Sequence, residues 1–286
     1  MPELPEVETV VRELREGKGE RGASVIGRTI ARVRLRWAGH VARPSPREFK
    51  RRVVGQTIVA LSRRGKYLIF HLTQGFLLIH LKMSGDLVVV DDHAPADKHA
   101  HTIFQFKGGG QMRFTDTRKF GRVYWAEHAE EVVGHLGPEP LEPGFTARRL
   151  GEMLAKRQRA LKPLLLDQTF IAGLGNIYTD ETLHRARLHP LRRSNTLQPQ
   201  EVQALWRSIR QALQSGLRHN GASIDWVYRG GNFQHHFRVY DRAGQPCPNC
   251  STPITRTVVG QRGTYFCPQC QKSAAHQTKR GHSATG

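Results

Sequence analysis

Leu136-Gly137-Pro138-Glu139-Pro140-Leu141-Glu142-Pro143-Gly144 divides the 286-residue chain into two parts with different residue patterns. Proline lacks the backbone N–H that helices and strands use, and glycine favours turns, so we predict a linker or hinge over residues 136–150. Short apolar runs precede this stretch, and helical periodicity follows it. The chain is therefore predicted to be an α+β protein with more than one domain.

The part before the linker has the pattern of a β-sandwich or barrel. Its short apolar or alternating runs fall at residues 58–61, 67–72, 76–81, 87–90, 103–106 and 123–125. One amphipathic helix precedes them, because apolar residues recur at the spacing of one helix face just after Pro5. These residues are Val7, Val10, Val11 and Leu14. We predict that residues 2–135 form an N-terminal β-sandwich with this helix packed on it.

Helical patterns fill the part after the linker. The apolar residues that indicate them are Leu150, Met153 and Leu154, then 164–166, then 177–186, and finally Val202, Leu205, Trp206, Ile209 and Leu213. The last helix is expected to end at Gly216, and residues 221–236 have the pattern of a loop. We predict a helical domain over 151–240, a cysteine-bearing segment over 241–272 and a disordered polar tail over 273–286.

All four cysteines lie in the cysteine-bearing segment, as two Cys-x2-Cys pairs. They are Cys247, Cys250, Cys267 and Cys270, with sixteen residues between the pairs. Each pair forms a tight knuckle that directs two thiolates toward one point, and the insert is long enough for a hairpin. We predict one structural Zn²⁺ held by four thiolates, with no open position for catalysis. An iron–sulfur cluster and four unrelated thiols are the alternatives.

A large positive charge limits the classes of partner. The chain carries 44 Lys and Arg against 24 Asp and Glu, a formal net charge of +20. Such a surplus attracts a polyanion, either nucleic acid or an anionic membrane surface, although a basic surface can also serve solubility alone. No apolar run reaches the length of about 18 residues that a membrane span needs. No signal peptide is recognisable, so we expect a cytoplasmic protein.

The first residues, Met1-Pro2-Glu3, offer covalent chemistry. If Met1 is removed, Pro2 has a free secondary amine, which attacks an aldehyde-like carbon and yields a charged iminium. An α-amino group has a pKa of about 7.7–8.0, so a useful fraction is neutral at pH 7. The alternatives are that Pro2 is a tolerated second residue, and that Glu3 and Glu6 only favour a helix N-terminus.

Three stretches together resemble one family. They are Pro2-Glu3-Leu4-Pro5-Glu6-Val7-Glu8-Thr9, Gly173-Leu174-Gly175-Asn176-Ile177-Tyr178 and the cysteine-bearing segment, in this order. The chain resembles the bacterial formamidopyrimidine-DNA glycosylases over roughly residues 2–272, whereas the related endonuclease VIII branch typically differs after the Pro-Glu. The resemblance implies a helix–two-turn–helix in the helical domain and a zinc β-hairpin after it. It also implies that the partner is double-stranded DNA containing oxidised bases or abasic sites.

The resemblance implies roles for residues near both ends of the chain. Pro2 is the nucleophile that attacks the sugar C1′ of a flipped-out nucleotide, and Glu3 protonates the sugar ring oxygen. Glu6 belongs to the damaged-nucleotide pocket. Lys66 matches a lysine that contacts phosphate and assists β-elimination, and Arg262 matches the arginine linked to δ-elimination. Because a guanidinium has a pKa above about 12, we interpret Arg262 as a phosphate clamp rather than a proton donor.

Further residues are implied to contact DNA. Met83, Arg118 and Phe120 resemble residues that fill the space left by the flipped nucleotide, although Met83 and Phe120 also have the character of core residues. Arg118 is expected to contact DNA as well. The implied phosphate contacts are His99, Lys119, Arg157, Lys162, Asn176 and Arg262. The lesion-capping loop at 223–233 looks short for the family, so we assign no base-reading residues to it.

The sequence therefore predicts a bifunctional DNA glycosylase/AP lyase of base excision repair. It would remove 8-oxoguanine and formamidopyrimidines through a Pro2 Schiff base and β,δ-elimination. The nearest alternative is an endonuclease VIII-like glycosylase for oxidised pyrimidines. A non-catalytic zinc DNA-binding protein and an RNA-binding protein are further alternatives, the last without the stacking motifs expected on a sheet. We expect a monomer that associates with the nucleoid through DNA.

Overall fold

A computed structural model describes residues 1–95, 97–223, 228 and 230–273. The chain folds into two compact units. Unit 1 consists of Met1–Leu136 together with Gly216–Gln234, and unit 2 consists of Gly137–Ser215 together with the chain from His235 onward. The predicted disordered tail falls almost wholly outside the described residues, as does much of the predicted capping loop. Among the helices described, none is both long and apolar enough to cross a membrane.

Unit 1 is built from two β-sheets and three helices. The strands are β1 (Ile30–Leu35), β2 (Val41–Arg43), β3 (Ile58–Arg64), β4 (Tyr67–Leu72), β5 (Phe76–His80), β6 (Gly85–Val90), β7 (Ala100–Phe106), β8 (Gln111–Asp116) and β9 (Arg122–Ala126). The helices are α1 (Leu4–Glu16), α2 (Pro46–Val53) and α3 (Glu130–Val133). One sheet has the strand order β1-β7-β8-β6 and the other β2-β9-β5-β4-β3. Neighbouring strands are antiparallel except β2 and β9, which are parallel.

The apolar core of unit 1 joins both sheets to α1. The apolar face of α1 predicted from the sequence is fully buried in one cluster with side chains such as Phe70 of one sheet and Phe104 and Phe114 of the other. Burying apolar area in this way stabilises the fold by about 25 cal/mol per Å². The predicted sandwich with a helix packed on it is therefore confirmed, and the packing of α1 fixes where the N-terminus of the chain lies.

Unit 2 contains the helices after the linker and a small hairpin. The helices are α4 (Ala147–Ala155), α5 (Leu161–Leu166), α6 (Asn176–Arg185) and α7 (Pro199–Arg218), of which the last extends into the residues of unit 1. The strands β10 (Thr255–Val259) and β11 (Arg262–Phe266) pair antiparallel. Their two-residue turn has positive φ at Gly260 (57°) and Gln261 (61°), the conformation that suits the twist of a tight hairpin.

Two helix boundaries differ from the prediction. Helix α4 begins at Ala147, inside the predicted linker, because the Thr146 side chain accepts a hydrogen bond from Arg149 N at 3.2 Å and caps the helix. Helix α7 continues past Gly216 to Arg218. Asn220 (55°) and Gly221 (80°) have left-handed φ, and Gly221 N donates to Gly216 O at 2.8 Å, so the stop signal begins four residues later than predicted.

The predicted domain boundaries also differ from the two units. The helical domain was predicted over 151–240, but the described residues of 216–234, which are 216–223, 228 and 230–234, group with unit 1. A physical reason is visible at Ala222, whose backbone N–H donates to the Glu6 carboxylate of α1 at 2.7 Å. Strands β1, β2 and β8 are not among the predicted runs. In β8 the alternation is obscured because Gln111 and Arg113 are buried at 6% and 7% exposure.

Candidate functional site

The start of the chain lies at the buried N-terminus of α1. Pro2 is buried, and Glu3 and Glu6 are each 2% exposed, whereas Met1 is 43% exposed. Glu3 is the N-cap of α1, and Glu3 and Glu6 form a reciprocal capping box in which Glu6 Oε2 accepts from Glu3 N at 2.9 Å. Glu6 thus lies in the first turn of α1, Glu3 is its cap, and Pro2 is the residue directly before that cap.

Glu6 also fastens a distant segment to the helix start. Its Oε1 accepts the hydrogen bond from Ala222 N, and a Cβ at Gly221 would lie only 2.6 Å from that same oxygen. Gly221 has φ +80°, which side-chain-bearing residues rarely adopt. Glycine is therefore required at this position on both counts. Gly221 and Ala222, which approach Glu6, lie directly before the predicted capping loop at 223–233.

Lys66 lies in the turn between β3 and β4 and is only 4% exposed. Gly65 before it has φ 57°. The Arg63 side chain secures this turn, because its Nε donates to Glu8 Oε2 of α1 at 2.9 Å and its Nη1 donates to Gly65 O. The contact of Arg63 with Glu8 ties the Lys66 turn to α1, the helix that Glu3 caps and Pro2 precedes.

His80 lies in a positively charged environment close to Lys66. Burial, with the charges of Lys82 and Lys66, holds the pKa of His80 well below 6.5. Its Nδ1 accepts a hydrogen bond from Lys82 N at 3.0 Å, so this ring nitrogen carries no proton. His80 is therefore neutral at physiological pH. Its hydrogen bond to Lys82 N fixes the start of the turn that follows β5.

Met83, Arg118 and Phe120 lie on two turns of unit 1. Met83 follows β5 and is 37% exposed, and Phe120 lies between β8 and β9 and is 46% exposed. The Arg118 guanidinium lies 4.9 Å from the Phe120 ring centroid, a cation–π contact. The interpretation of Met83 and Phe120 as core residues is therefore wrong. Exposed apolar side chains next to a cation suit insertion into a stack of bases.

The remaining predicted DNA contacts of unit 1 are His99 and Lys119. Lys119 is exposed, has φ 58°, and places its Nζ 5.9 Å from the Trp37 ring. His99 is half-buried at the start of β7, and its backbone N donates to Asp97 Oδ1 at 2.7 Å. Both side chains have the access to solvent that a phosphate contact needs.

The predicted phosphate contacts of unit 2 divide into two groups. Arg157 follows α4 and is exposed, and Arg262 is exposed at the first position of β11. Asn176 is half-buried at the first position of α6, and its Nδ2 donates to Gly263 O at 2.9 Å. Lys162 differs from these residues because its side chain is fully buried.

The structure contradicts a direct phosphate contact for Lys162. Its Nζ lies 2.6 Å from Asp180 Oδ1 of α6 and donates to Gly263 O at 2.9 Å. Asp180 Oδ2 accepts from Tyr265 N at 3.0 Å. Burial raises the pKa of Asp180, and the positive charge of Lys162 opposes that shift. Lys162 therefore holds the start of β11 at Gly263, next to Arg262, from inside the unit.

The four cysteines form a zinc site. Tetrahedral coordination with Zn–S bonds of about 2.3 Å places sulfurs about 3.8 Å apart. The Sγ atom of Cys250 lies 3.4 Å from the Sγ atoms of Cys267 and Cys270. The Sγ atoms of Cys247 and Cys270 are 4.0 Å apart. All four ligand atoms lie within 4.8 Å of one another. Four thiolates suit one Zn²⁺ and leave no position for a substrate, so the ion is structural.

Helix α6 positions the zinc hairpin by polar contacts. The fully buried Glu181 Oε1 accepts from the backbone N–H groups of Arg238, Val239 and Tyr240 at 2.9–3.1 Å. His184 Nε2 lies 3.3 Å from Cys247 Sγ. Asn176, Asp180, Glu181 and His184 recur along one side of α6. Helix α6 therefore fixes the position of residues 238–240, which lead into the zinc site. It also fixes β11, the strand that begins at Arg262.

Comparison with known proteins covers nearly the whole chain. Residues 1–123 match the family model described as the formamidopyrimidine-DNA glycosylase N-terminal domain. Residues 136–227 match the model of the H2TH domain of the same family. Residues 244–272 match the zinc finger found in FPG and IleRS.

The chain belongs to the formamidopyrimidine-DNA glycosylase family. Among its relatives, the formamidopyrimidine-DNA glycosylase of Roseiflexus sp. (strain RS-1) is 45% identical over 281 residues, covering 95% of this chain and 100% of the relative. That of Bacillus subtilis (strain 168) is 41% identical over 280 residues, covering 95% and 99%.

Solved structures of the formamidopyrimidine-DNA glycosylase family share the fold. Wild-type Lactococcus lactis Fpg bound to DNA containing N7-benzyl-Fapy-dG matches with a TM-score of 0.88 and 36% identity, covering 95% of this chain and 100% of that one. The Lactococcus lactis Fpg complex with DNA containing an abasic site matches with a TM-score of 0.87 and 35% identity over the same shares. The predicted helix–two-turn–helix and zinc hairpin architecture is thus confirmed.

Several residues that organise the site were missed by sequence reasoning. Asp180 and Glu181 on α6 hold the zinc hairpin, and Ser84 and Asp116 bond to one another between two turns of unit 1. The one local signal was the position of Asp180, four residues after Asn176 and thus on the same helix face. Ser84 and Asp116 are 32 residues apart, so no local pattern connects them.

Proposed function

We propose that this protein is a bifunctional DNA glycosylase/AP lyase of base excision repair that removes 8-oxoguanine and formamidopyrimidines from duplex DNA. The observation that carries the proposal is that the buried Pro2 directly precedes Glu3, the N-cap of α1, whose backbone N–H donates to the buried Glu6 carboxylate. Membership of the family and relatives solved with lesion-containing or abasic DNA support it. The exposed Met1 is the residue that must be removed first.

Pro2 and Glu3 would carry the first chemical step. The neutral Pro2 amine attacks C1′ of a flipped-out nucleotide while the bond from C1′ to the base breaks and the base leaves with the bonding electrons. The attacking nitrogen gives its N–H proton to the departing base, which frees its lone pair again. Glu3 protonates the sugar ring oxygen, so the bond from C1′ to the ring oxygen breaks and the nitrogen lone pair forms the iminium. The iminium then acts as an electron sink for β-elimination.

Lys66 and Arg262 would assist the eliminations. Each is a cation near a backbone turn, and a cation next to a phosphate stabilises the negative charge that the leaving group acquires. Lys66 is held close to α1 by the Arg63–Glu8 pair, which suits a role at the 3′ phosphate. Arg262 acts as a clamp on phosphate during δ-elimination, because a guanidinium does not release its proton.

DNA would be held by exposed side chains of both units. Met83, Arg118 and Phe120 fill the space that the flipped nucleotide leaves, and Arg118 hydrogen-bonds the unpaired base. The phosphate contacts are His99, Lys119, Arg157, Asn176 and Arg262. Lys162 supports this surface without touching DNA. The protein acts as a monomer in the cytoplasm, associated with the nucleoid through DNA, with one zinc ion in its hairpin.

Borohydride trapping on a duplex with 8-oxoguanine opposite cytosine tests the proposal. The protein without Met1, verified by its mass, is expected to form a covalent adduct with the DNA. Pro2→Gly should lose most of the adduct, because the secondary amine becomes a primary one. Pro5→Ala, which removes a proline without a reactive nitrogen, should still be trapped.

The same assay separates the alternatives. No adduct with the wild-type protein, or an undiminished adduct with Pro2→Gly, would contradict the role of Pro2. A duplex with thymine glycol serves as the competing substrate, and its preferential cleavage would assign the protein to oxidised pyrimidines instead. Binding of both duplexes without cleavage would leave only a DNA-binding role.

A further inference from the structure

Asp116 is a buried carboxylate that accepts hydrogen bonds from two separate turns. Its side chain is fully buried at the end of β8. Oδ1 accepts from the Ser84 hydroxyl and from Arg118 N at 3.2 Å, and Oδ2 accepts from Gly121 N at 2.6 Å. Ser84 lies in the turn that carries Met83, and the other two donors lie in the turn that carries Phe120.

Ser84 is the cross-link between these turns. Its hydroxyl donates to Asp116, and its oxygen accepts from Arg118 N at 3.0 Å. Ser84 is 5% exposed, so water does not compete for these bonds. Each turn also contains a lysine with positive φ, Lys82 at 55° and Lys119 at 58°, a strained conformation that needs support from the surroundings.

The surroundings leave little room for rearrangement. His40 is fully buried, stacks on Phe114 at a centroid distance of 4.6 Å, and places Nε2 3.6 Å from Asp116 Oδ2. A Cβ at Gly121 would lie 2.4 Å from the Phe114 ring and 3.0 Å from Asp116 Oδ2. The carboxylate is therefore held from several sides, and the two turns cannot shift independently of it.

The charge state of Asp116 supports the same interpretation. Burial by itself raises the pKa of a carboxyl group. Here the contacts from His40, Ser84 and the backbone N–H groups of Gly121 and Arg118 outweigh burial and lower the pKa of Asp116 to about 2. The group is thus ionised at neutral pH, and hydrogen bonds to an ionised group are stronger than those between neutral groups.

We propose that Asp116 and Ser84 are positioning residues that lock the Met83 turn and the Arg118–Phe120 turn into one rigid unit for insertion into DNA. This inference deepens the proposed function and rests on it. Preorganised turns avoid the entropy cost of ordering Met83, Arg118 and Phe120 when they enter the duplex. Loss of the lock should therefore slow nucleotide flipping, while the chemistry at Pro2 remains intact.

The test compares two substrates in single-turnover reactions. The first is a duplex with 8-oxoguanine opposite cytosine, where the space left by the flipped nucleotide must be filled. The second is a single-stranded oligonucleotide with a preformed abasic site, where no base pair has to be opened. Ser84→Ala should excise from the duplex about tenfold more slowly, the effect of losing one hydrogen bond to a buried charge. It should cleave the single strand at the wild-type rate.

A fluorescent 2-aminopurine next to the lesion gives a direct readout of insertion, because its emission rises when the stack opens. The rise should be slower with Ser84→Ala by the same factor as excision. Asp116→Asn replaces one acceptor oxygen by an NH₂ group and should slow excision at least as much. Because both residues share one bond, the double variant should be no slower than Asp116→Asn alone.

Ser62→Ala is the matched control. Ser62 lies on β3, and the variant loses the hydrogen bond to His71 Nε2 (2.7 Å), a residue of β4 and not of either turn. It should match the wild type on both substrates. Wild-type excision by Ser84→Ala, or equal slowing on both substrates, would overturn the inference. A wild-type protein that cleaves neither substrate would overturn the proposed function and this inference together.

Discussion

Lys162 shows how the surroundings of one residue change the meaning of a sequence match. Its match to the family predicted a phosphate contact, yet its ammonium is buried against Asp180 and the Gly263 carbonyl. A buried ammonium with a carboxylate at 2.6 Å cannot also reach a phosphate outside the unit. The contact that Lys162 makes is with the start of β11, directly beside the proposed phosphate contact Arg262.

Lys162→Met is expected to destabilise the protein by about 3–5 kcal/mol, because it leaves the Asp180 carboxylate buried without its partner. Adding Asp180→Leu should recover part of that loss, since the uncompensated charge is then removed. Urea unfolding at pH 8 measures both changes. The exposed Lys156→Met serves as the control and should change stability by no more than about 0.5 kcal/mol. A Lys162→Met protein as stable as the control would contradict the buried pair.

The zinc hairpin is the element that depends most on a bound ion. Its apolar cluster contains only Val239, Cys247, Ile254 and Cys267 as buried residues. Such a small cluster does not supply the free energy to fold a hairpin without metal. Order in this element therefore comes from zinc on one side and from the polar contacts of α6 on the other.

Cys267→Ser removes one of the four zinc ligands and should lower the zinc content below one ion per chain. It should also weaken binding to undamaged duplex DNA by at least about tenfold, because the hairpin that carries Arg262 loses its fixed shape. Zinc content and DNA affinity at moderate salt measure the two effects. Thr257→Ser, on the exposed face of β10, should leave both unchanged. Retained affinity in zinc-free Cys267→Ser would show that DNA binding does not need the hairpin.

Features that depend on local spacing could be predicted from the sequence. The apolar residues of α1 recur at helical spacing, and the two cysteines within each Cys-x2-Cys pair are close in the sequence. Both features are found as predicted. The end of α7 was misplaced because Gly216 tolerates helical φ, whereas Asn220 supplies the left-handed turn. Ser84 and Asp116 could not be found, because hydrogen bonds across 32 residues leave no periodic trace.

At the scale of the whole molecule, the net charge of +20 governs binding to DNA. Lys119, Arg157 and Arg262 are the three exposed cations among the proposed phosphate contacts. Each releases about 0.9 counterion from duplex DNA, so affinity for undamaged DNA should fall about 40-fold between 50 and 200 mM salt.

Arg262→Gln should make the plot of log affinity against log salt less steep by about 1, the contribution of one phosphate contact. Fluorescence anisotropy with an undamaged duplex over this salt range measures the slope. Arg148→Gln is the control, because the Arg148 side chain is 90% exposed and is not among the proposed contacts. An identical slope for Arg262→Gln and the wild type would remove Arg262 from the phosphate contacts.

Unit 1 includes a segment that begins at Gly216, far along the chain from its other residues, and this has a consequence for biosynthesis. The ribosome makes chains from the N-terminus, so α1 and both sheets emerge well before the segment that completes their unit. Until Ala222 has been translated, Glu6 lacks the backbone donor that it has in the finished protein. All of residues 137–215 are synthesised in that interval. The catalytic end of the protein is therefore the first part to be made and among the last to be finished.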